Sequence, residues 1–268
     1  MSRTHLIFNC QGSKLAGTLD AAAGRTGLLI VSGGNELRAG PWSSQALIAR
    51  KVAQEGFPVF RFDRRGIGDS EGDNGGFPSS APDIAAAIAA FRQHAPQLER
   101  IVAFGNCDAA TALMLIAGHG LDALVLGNPW TFEQHDALSA KAADPAPMAP
   151  SALRRHYLKR LMNLGALRRL LTGKVRLRQL AGSLVSAAGT DAGPNALVQQ
   201  MAAGISGFAG PVTILLAGND RTAQAFMTGW DRSDPRLHLC HGASHSFAEA
   251  AARTWLENRI LSALRALA

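Results

Sequence analysis

Cys107, Asp220 and His245 are the residues whose types and order in this chain could carry covalent acyl chemistry. Sulfur attacks as thiolate, so Cys107 needs a base, and an imidazole base needs a carboxylate to fix its tautomer and orientation. The three arrive in the order nucleophile, acid, histidine, each after an apolar, strand-like run at residues 101–106, 211–216 and 236–240. If those strands are parallel, the three side chains emerge at one end of a sheet, where open α/β folds place their sites. This agreement in order and placement points to an enzyme.

The surroundings of Cys107 fit the role. Phe104-Gly105-Asn106-Cys107-Asp108-Ala109 lies between an apolar run and an Ala/Leu-rich segment at 110–117. Strand, one-residue pivot and helix make a nucleophile elbow, in which the chain turns so sharply that the pivot side chain stands out above the sheet. Such a turn has no room for bulk two residues either side of the pivot, and Gly105 and Ala109 hold those places. The hexapeptide alone fits a buried structural cysteine equally well, because free Cys packs like a small hydrophobe. Asp220 and His245 decide between the two.

Competing residues fit less well. His238 falls inside its strand and His241 early on its loop, whereas the run from 242 to 247, Gly-Ala-Ser-His-Ser-Phe, lets a histidine lean back over the sheet. Asp231 and Asp234 lie past a helix and read as turn residues. Asp63, with Arg64 and Arg65, reads as the anchor of the loop at 66–72, and Asp69-Ser70 as a second turn anchor. Acyl transfer also needs donors for the developing oxyanion. The backbone N–H of Asp108 is one, and Gly34 or Asn35, after the strand at 27–32, is expected to supply the other. The charge of Asp108 would raise the cysteine pKa, so its side chain is expected to turn away, toward Arg38 or an arginine of the basic stretch at 151–180.

The elements that must position these groups alternate along the chain. Runs at 5–10 and 14–20 flank Gln11-Gly12-Ser13 as a hairpin. Strands are expected at 27–32, 58–63, 101–106 and 123–127, with helices at 42–55, 84–94 (opened by Pro82 and Asp83) and 108–118. The pattern resumes with strands at 211–216 and 236–240 and a helix at 248–267. It predicts a mostly parallel sheet with helices on both faces. Between the two halves lie a proline-rich connector at 144–150 and a helical, basic stretch at 151–180. Nine Lys or Arg fall between Arg154 and Arg178, with no acid from 145 to 190, so more than the whole formal charge of +7 lies there. The reading is a core at 1–130 and 208–268 and a helical basic cap at 131–207.

Composition bounds the function. The chain has 268 residues, 47% of them apolar, enough for one core with an insertion. The first residues lack the apolar run of a signal peptide, and no segment approaches the roughly 20 apolar residues of a membrane span. Cys10, Cys107 and Cys240 are too few and scattered for a disulfide framework or a zinc site, so a cytoplasmic location is expected, with no metal and no cofactor. Aromatic residues are sparse at 6%, and no nucleic-acid motif accompanies the charge.

Several segments together carry a resemblance: Gly33-Gly34, Arg38-Ala39-Gly40, Arg61-Phe62-Asp63, the run Arg65-Gly66-Ile67-Gly68-Asp69-Ser70-Glu71-Gly72, Cys107-Asp108-Ala109-Ala110, Asn128-Pro129-Trp130 and His156-Tyr157-Leu158. Over nearly its whole length the chain resembles the α/β-hydrolase superfamily. More narrowly, it is similar to the exosortase A system-associated hydrolases of the first type, bacterial proteins that accompany exopolysaccharide and protein-sorting gene clusters. Asn35 and Asn106 depart from the Pro and Leu of that pattern. The resemblance implies an α/β-hydrolase fold, Cys107, Asp220 and His245 in the roles given above, and a bacterial cytoplasm; it names no substrate.

The expected activity is hydrolysis of an ester, thioester or lactone through an acyl-thioester enzyme, with acyl transfer by the same residues, or a non-catalytic binding role, as alternatives. Arg38, Trp130, Arg154 and Arg155 are assigned to substrate binding. The basic stretch would suit an anionic or carrier-linked acyl substrate, or peripheral contact with a membrane surface.

Overall fold

A computed structural model describes residues 2–132 and 195–268. The expected basic cap, with Arg154 and Arg155, lies outside these residues except for its ends. Among the described residues eight strands form one sheet in the order β1-β2-β4-β3-β5-β6-β7-β8. The strands are β1 (Arg3–Cys10), β2 (Ser13–Asp20), β3 (Thr26–Val31), β4 (Val59–Phe62), β5 (Arg100–Asn106), β6 (Ala123–Gly127), β7 (Val212–Ala217) and β8 (Leu237–Cys240). β1 and β2 form the predicted hairpin, and β2 meets β4 antiparallel; from β4 through β3 to β8 every pairing is parallel. The hairpin turn needs only Gln11 and Gly12, both at positive φ (49° and 88°), the conformation whose twist matches that of the flanking strands.

Helices α1 (Ser44–Gln54) and α6 (Ala250–Arg265) cover one face of the sheet; α2 (Ala81–His94), α3 (Asp108–Leu115), α4 (Ala196–Ser206) and α5 (Arg221–Gly229) cover the other. The central strands are apolar on both sides because both faces are covered. In β3, Leu28 and Ile30 pack toward α1 and α6, while Leu29 and Val31 pack toward α2 and α3. Residues 196–206, read from sequence as part of the insert, instead lay Leu197, Val198, Met201 and Ile205 against α3 in the main core. Each such side chain contributes roughly 1.5–3 kcal/mol by leaving water, so α4 belongs energetically to the sheet's own covering layer.

The parallel strands share one carboxyl edge. β5 ends beside Cys107, β7 runs out toward Asp220, and β8 leads into the loop that carries His245. β3 ends at the Gly33-Gly34 loop on the other flank of β5.

Candidate active site

Cys107 sits at the pivot between β5 and α3 with φ 62° and ψ −128°, a strained backbone for a residue with a Cβ. The strain is held from several directions. Its N–H donates to Gly127 O at 2.9 Å, and its carbonyl accepts from Ala110 N at 3.1 Å and Trp130 N at 3.3 Å. The small neighbours are obligatory on one side: a Cβ on Gly105 would lie 2.8 Å from the Ala109 carbonyl carbon. The thiol is half-buried, whereas Cys10 and Cys240 are buried.

The Cys107 thiol and the His245 ring lie within interaction range of each other, and on the far side His245 Nδ1 lies 3.0 Å from Asp220 Oδ2. Asp220 is itself fixed, because the same oxygen accepts from Ala223 N at 3.0 Å and caps α5. One carboxylate thus starts a helix and orients a ring. His241 is exposed, and neither it nor His238 shares these contacts. Asp231 accepts from Ser233 and Asp234 binds Arg236 and Trp230, the turn roles expected of them.

Burial pushes the Cys107 thiol above its ordinary value of 9.0; the hydrogen bond and charge of His245 oppose that rise, and Asp108 adds to it. Burial lowers His245, but its bonds to Asp220 and Cys107 outweigh this and push it up to about 10. Part of the rise comes from the charge of Cys107, which the sulfur carries only when ionised, so sulfur and ring titrate as one coupled pair in which Asp220 favours the proton on the ring.

The backbone amide of Asp108 also lies close to the sulfur and acts to lower the thiol's pKa. The Asp108 carboxylate does not reach Arg38. Its Oδ1 accepts from Gly34 N at 2.5 Å, and Oδ2 lies 3.2 Å from Arg64 Nη2. Arg38 is committed elsewhere, since buried Asp63 takes both its backbone N–H and its guanidinium, and Asp69 lies 2.9 Å from the same Nη1. Its assignment to substrate therefore gives way to a structural one, as the partner of Asp63. Ser70 Oγ donates to Asp63 O at 2.7 Å and completes the loop anchor. Asn35 is exposed, and its side chain accepts from Asn74. Trp130 borders the elbow through its backbone, while its indole N–H turns to Phe132 O at 2.9 Å. Arg154 and Arg155 lie outside the described residues.

The model of the alpha/beta hydrolase family matches residues 28–256, from β3 into α6. The chain belongs to the alpha/beta hydrolase family. No curated protein matches it in sequence. Among solved structures it is similar to the Pyrococcus furiosus esterase Pf2001, with a TM-score of 0.62 at 14% identity, covering 98% of this chain and 90% of that one. It is also similar to the alpha/beta hydrolase GrgF from Penicillium sp. sh18 (TM-score 0.61, 17% identity, 99% and 98% covered). A third is XC6422 from Xanthomonas campestris, a lidless serine hydrolase (TM-score 0.59, 14% identity, 100% and 95% covered). At these identities the likeness is one of fold.

Within this alpha/beta hydrolase, four residues near the site were not picked out as functional from sequence. Asn128, fully buried with φ 42°, donates to His245 O and to Asn106 Oδ1, both at 2.9 Å, and accepts from Ala217 N at 2.7 Å. Asn106 adds a second donor to His245 O at 3.2 Å. Glu36, close to His245, Asp108 and Arg64, has its carboxyl raised chiefly by burial. Arg64, read as a loop anchor, reaches the site through Gly34 and Asp108. A cleft of about 70 Å³ beside His245 is lined by Glu36, Trp42, Gln45, Asn106 and Ser246. Asn106 itself was the available signal: a polar residue in an elbow strand must find a partner.

Proposed function

We propose that this protein is a cysteine hydrolase that cleaves an ester, thioester or lactone through an acyl-thioester on Cys107, with His245 as proton carrier and Asp220 as its orienting carboxylate. The observation that carries the reading is the unbroken contact from Cys107 through His245 to Asp220, with the sulfur on a strained elbow. Membership in the alpha/beta hydrolase family supports hydrolysis as the reaction class, and the Cys107-Asp108-Ala109-Ala110 run supports the narrower resemblance to the exosortase-associated hydrolases.

The steps follow from the contacts. His245 holds the proton of Cys107 as sulfur attacks the carbonyl carbon, and the carbonyl π pair moves to oxygen. Collapse restores the carbonyl and expels the alkoxide or thiolate, which takes the proton from His245. Water then gives a proton to His245 and attacks the thioester; the C–S bond breaks, the acid leaves, and the sulfur returns to its pair with the imidazolium. Each departing group meets the same proton donor, so one histidine serves both halves.

A screen of short acyl p-nitrophenyl esters, acyl thioesters and lactones tests the proposal, with intact-mass analysis of the quenched enzyme. The expected result is turnover, and an acyl adduct on wild-type protein that is lost in Cys107→Ala. Full activity in Cys107→Ala, or an adduct mapped to another residue, would reject Cys107 as nucleophile.

A further inference from the structure

The proposed chemistry needs a place for the oxyanion, and the gap between the Gly33-Gly34 loop and the elbow is already filled. A Cβ built on Gly33 would lie 2.9 Å from Asp108 Oδ1 and 3.5 Å from Cys107 Cβ, so this carboxylate oxygen sits between the loop and the nucleophile. It takes the Gly34 N–H at 2.5 Å. Behind it lies Arg64, whose side chain is 4% exposed and is held without help from Asp108: Nη1 donates to Ser80 Oγ at 2.9 Å and Nη2 to Gly34 O at 2.6 Å.

We propose that Gly34 N–H and Arg64 form an anion site for the oxyanion of the tetrahedral intermediate, and that the chain's own Asp108 carboxylate occupies it at rest. A carboxylate oxygen held by a backbone N–H beside the sulfur is chemically a stand-in for that oxyanion. Substrate must displace it from Gly34 N–H. An alkoxide-like oxygen concentrates its charge on one atom, whereas a carboxylate spreads it over two. The intermediate therefore competes for Gly34 N–H more strongly than the ground-state carbonyl, as selective stabilisation of a transition state requires. The backbone N–H of Asp108, the residue directly after the nucleophile, supplies the second donor.

The inference rests on Cys107 as nucleophile, and its test separates the two. Hydrolysis of p-nitrophenyl acetate and inhibition by acetaldehyde, which adds to a thiol to give a thiohemiacetal oxygen, are compared in wild type, Asp108→Ala, Asp108→Ser and Asp108→Asn, with Cys107→Ala as control. Removing the carboxylate should raise kcat/KM and tighten inhibition at least about tenfold, since one oxyanion donor is worth ~10²–10³ in kcat. Asp108→Asn, whose neutral amide oxygen still accepts from Gly34 N–H but more weakly than the carboxylate, should show a clearly smaller rise than Asp108→Ala. Asp108→Ser carries the same expectation as Asp108→Ala should the latter not fold. A loss of activity and of aldehyde affinity in both short variants would make the carboxylate a strut for the loop and overturn the inference. A rise in Asp108→Asn equal to that in Asp108→Ala would also overturn it, because charge near the thiol rather than occupancy would be the cause. Hydrolysis that survives Cys107→Ala would instead reject the nucleophile.

Discussion

The amide of Asn128 is tied to the backbone carbonyl of His245, 117 positions away, at 2.9 Å, while its oxygen takes the N–H of Ala217 at the end of β7. One buried side chain thus joins β6, β7 and the histidine loop, and so fixes the height at which the His245 ring meets Cys107. Asn128→Ala leaves the Ala217 N–H unpaired in the interior at a cost of about 1–3 kcal/mol, and it places Ala at φ 42°, where Asn is better tolerated. The expected outcome is a Tm lower by several degrees together with a fall in kcat of roughly tenfold or more from misplacement of the base. A variant with lowered Tm and unchanged kcat would show that the histidine loop holds its own position.

Gly33 and Gly34 make a controlled pair. A Cβ on Gly33 would lie 2.5 Å from the Asn106 carbonyl, which is backbone and cannot rotate aside, whereas a Cβ on Gly34 meets nothing within 4 Å. Gly33→Ala therefore forces the loop away from the elbow, and a loss of about 10²-fold in kcat is expected, the order associated with an oxyanion donor. Gly34→Ala meets only the left-handed φ of 52°, a cost of roughly 1–2 kcal/mol in stability. Steady-state kinetics beside thermal melts of the two variants check this, and equal losses of activity would contradict it.

Asp220 has two separable jobs. Asp220→Asn keeps an oxygen for the Ala223 N–H at the start of α5, so the helix cap survives, but it removes the charge that favours the imidazolium. A drop in kcat of about 10²–10⁴-fold is expected, with a loss of Tm confined to the pH range in which the imidazolium forfeits its partner. Asp220→Ala should add to this a stability loss of about 1 kcal/mol from the missing cap. If Asp220→Asn proves as unstable as Asp220→Ala, the cap and the ring interaction are not independent.

The parts that could be read from sequence were those written in local pattern. β3, β5 and β6 are apolar runs because both faces of the sheet are covered, and the elbow shows itself in Gly105 and Ala109, where only small residues fit. The order of Cys107, Asp220 and His245 is legible because each is placed by the end of a parallel strand. Partner choices among charges were not legible. Arg38 meets Asp63, and Asp108 meets Gly34 and Arg64, because loops distant in sequence converge, and a carboxylate bound to a backbone N–H leaves no pairwise trace in composition. The membership of α4 in the core was hidden for a related reason: its apolar stripe at Leu197, Val198, Met201 and Ile205 would suit a cap helix equally well.

Alkaline pH should weaken the folded protein through the same contacts that arm the site. His245 binds its proton more tightly in the fold, at about 10 against 6.5, because its interactions with Asp220 and Cys107 outweigh the effect of burial. A group raised in this way contributes stability that is fully present below pH 6.5 and is lost as pH rises toward about 10. The Cys107 thiol, also raised, adds a loss of the same sign above its ordinary value of 9.0. Melting curves between pH 6 and about 10 should therefore show wild type losing its advantage over His245→Gln as pH rises, the gap being widest at the acid end. Iodoacetamide labelling supplies the chemical counterpart. Without the imidazolium the thiol loses the interaction that opposes burial, so His245→Gln should shift Cys107 alkylation to higher pH than in wild type. A pH-independent gap in Tm, or labelling of Cys107 unchanged by His245→Gln, would mean that sulfur and ring do not share a proton in solution.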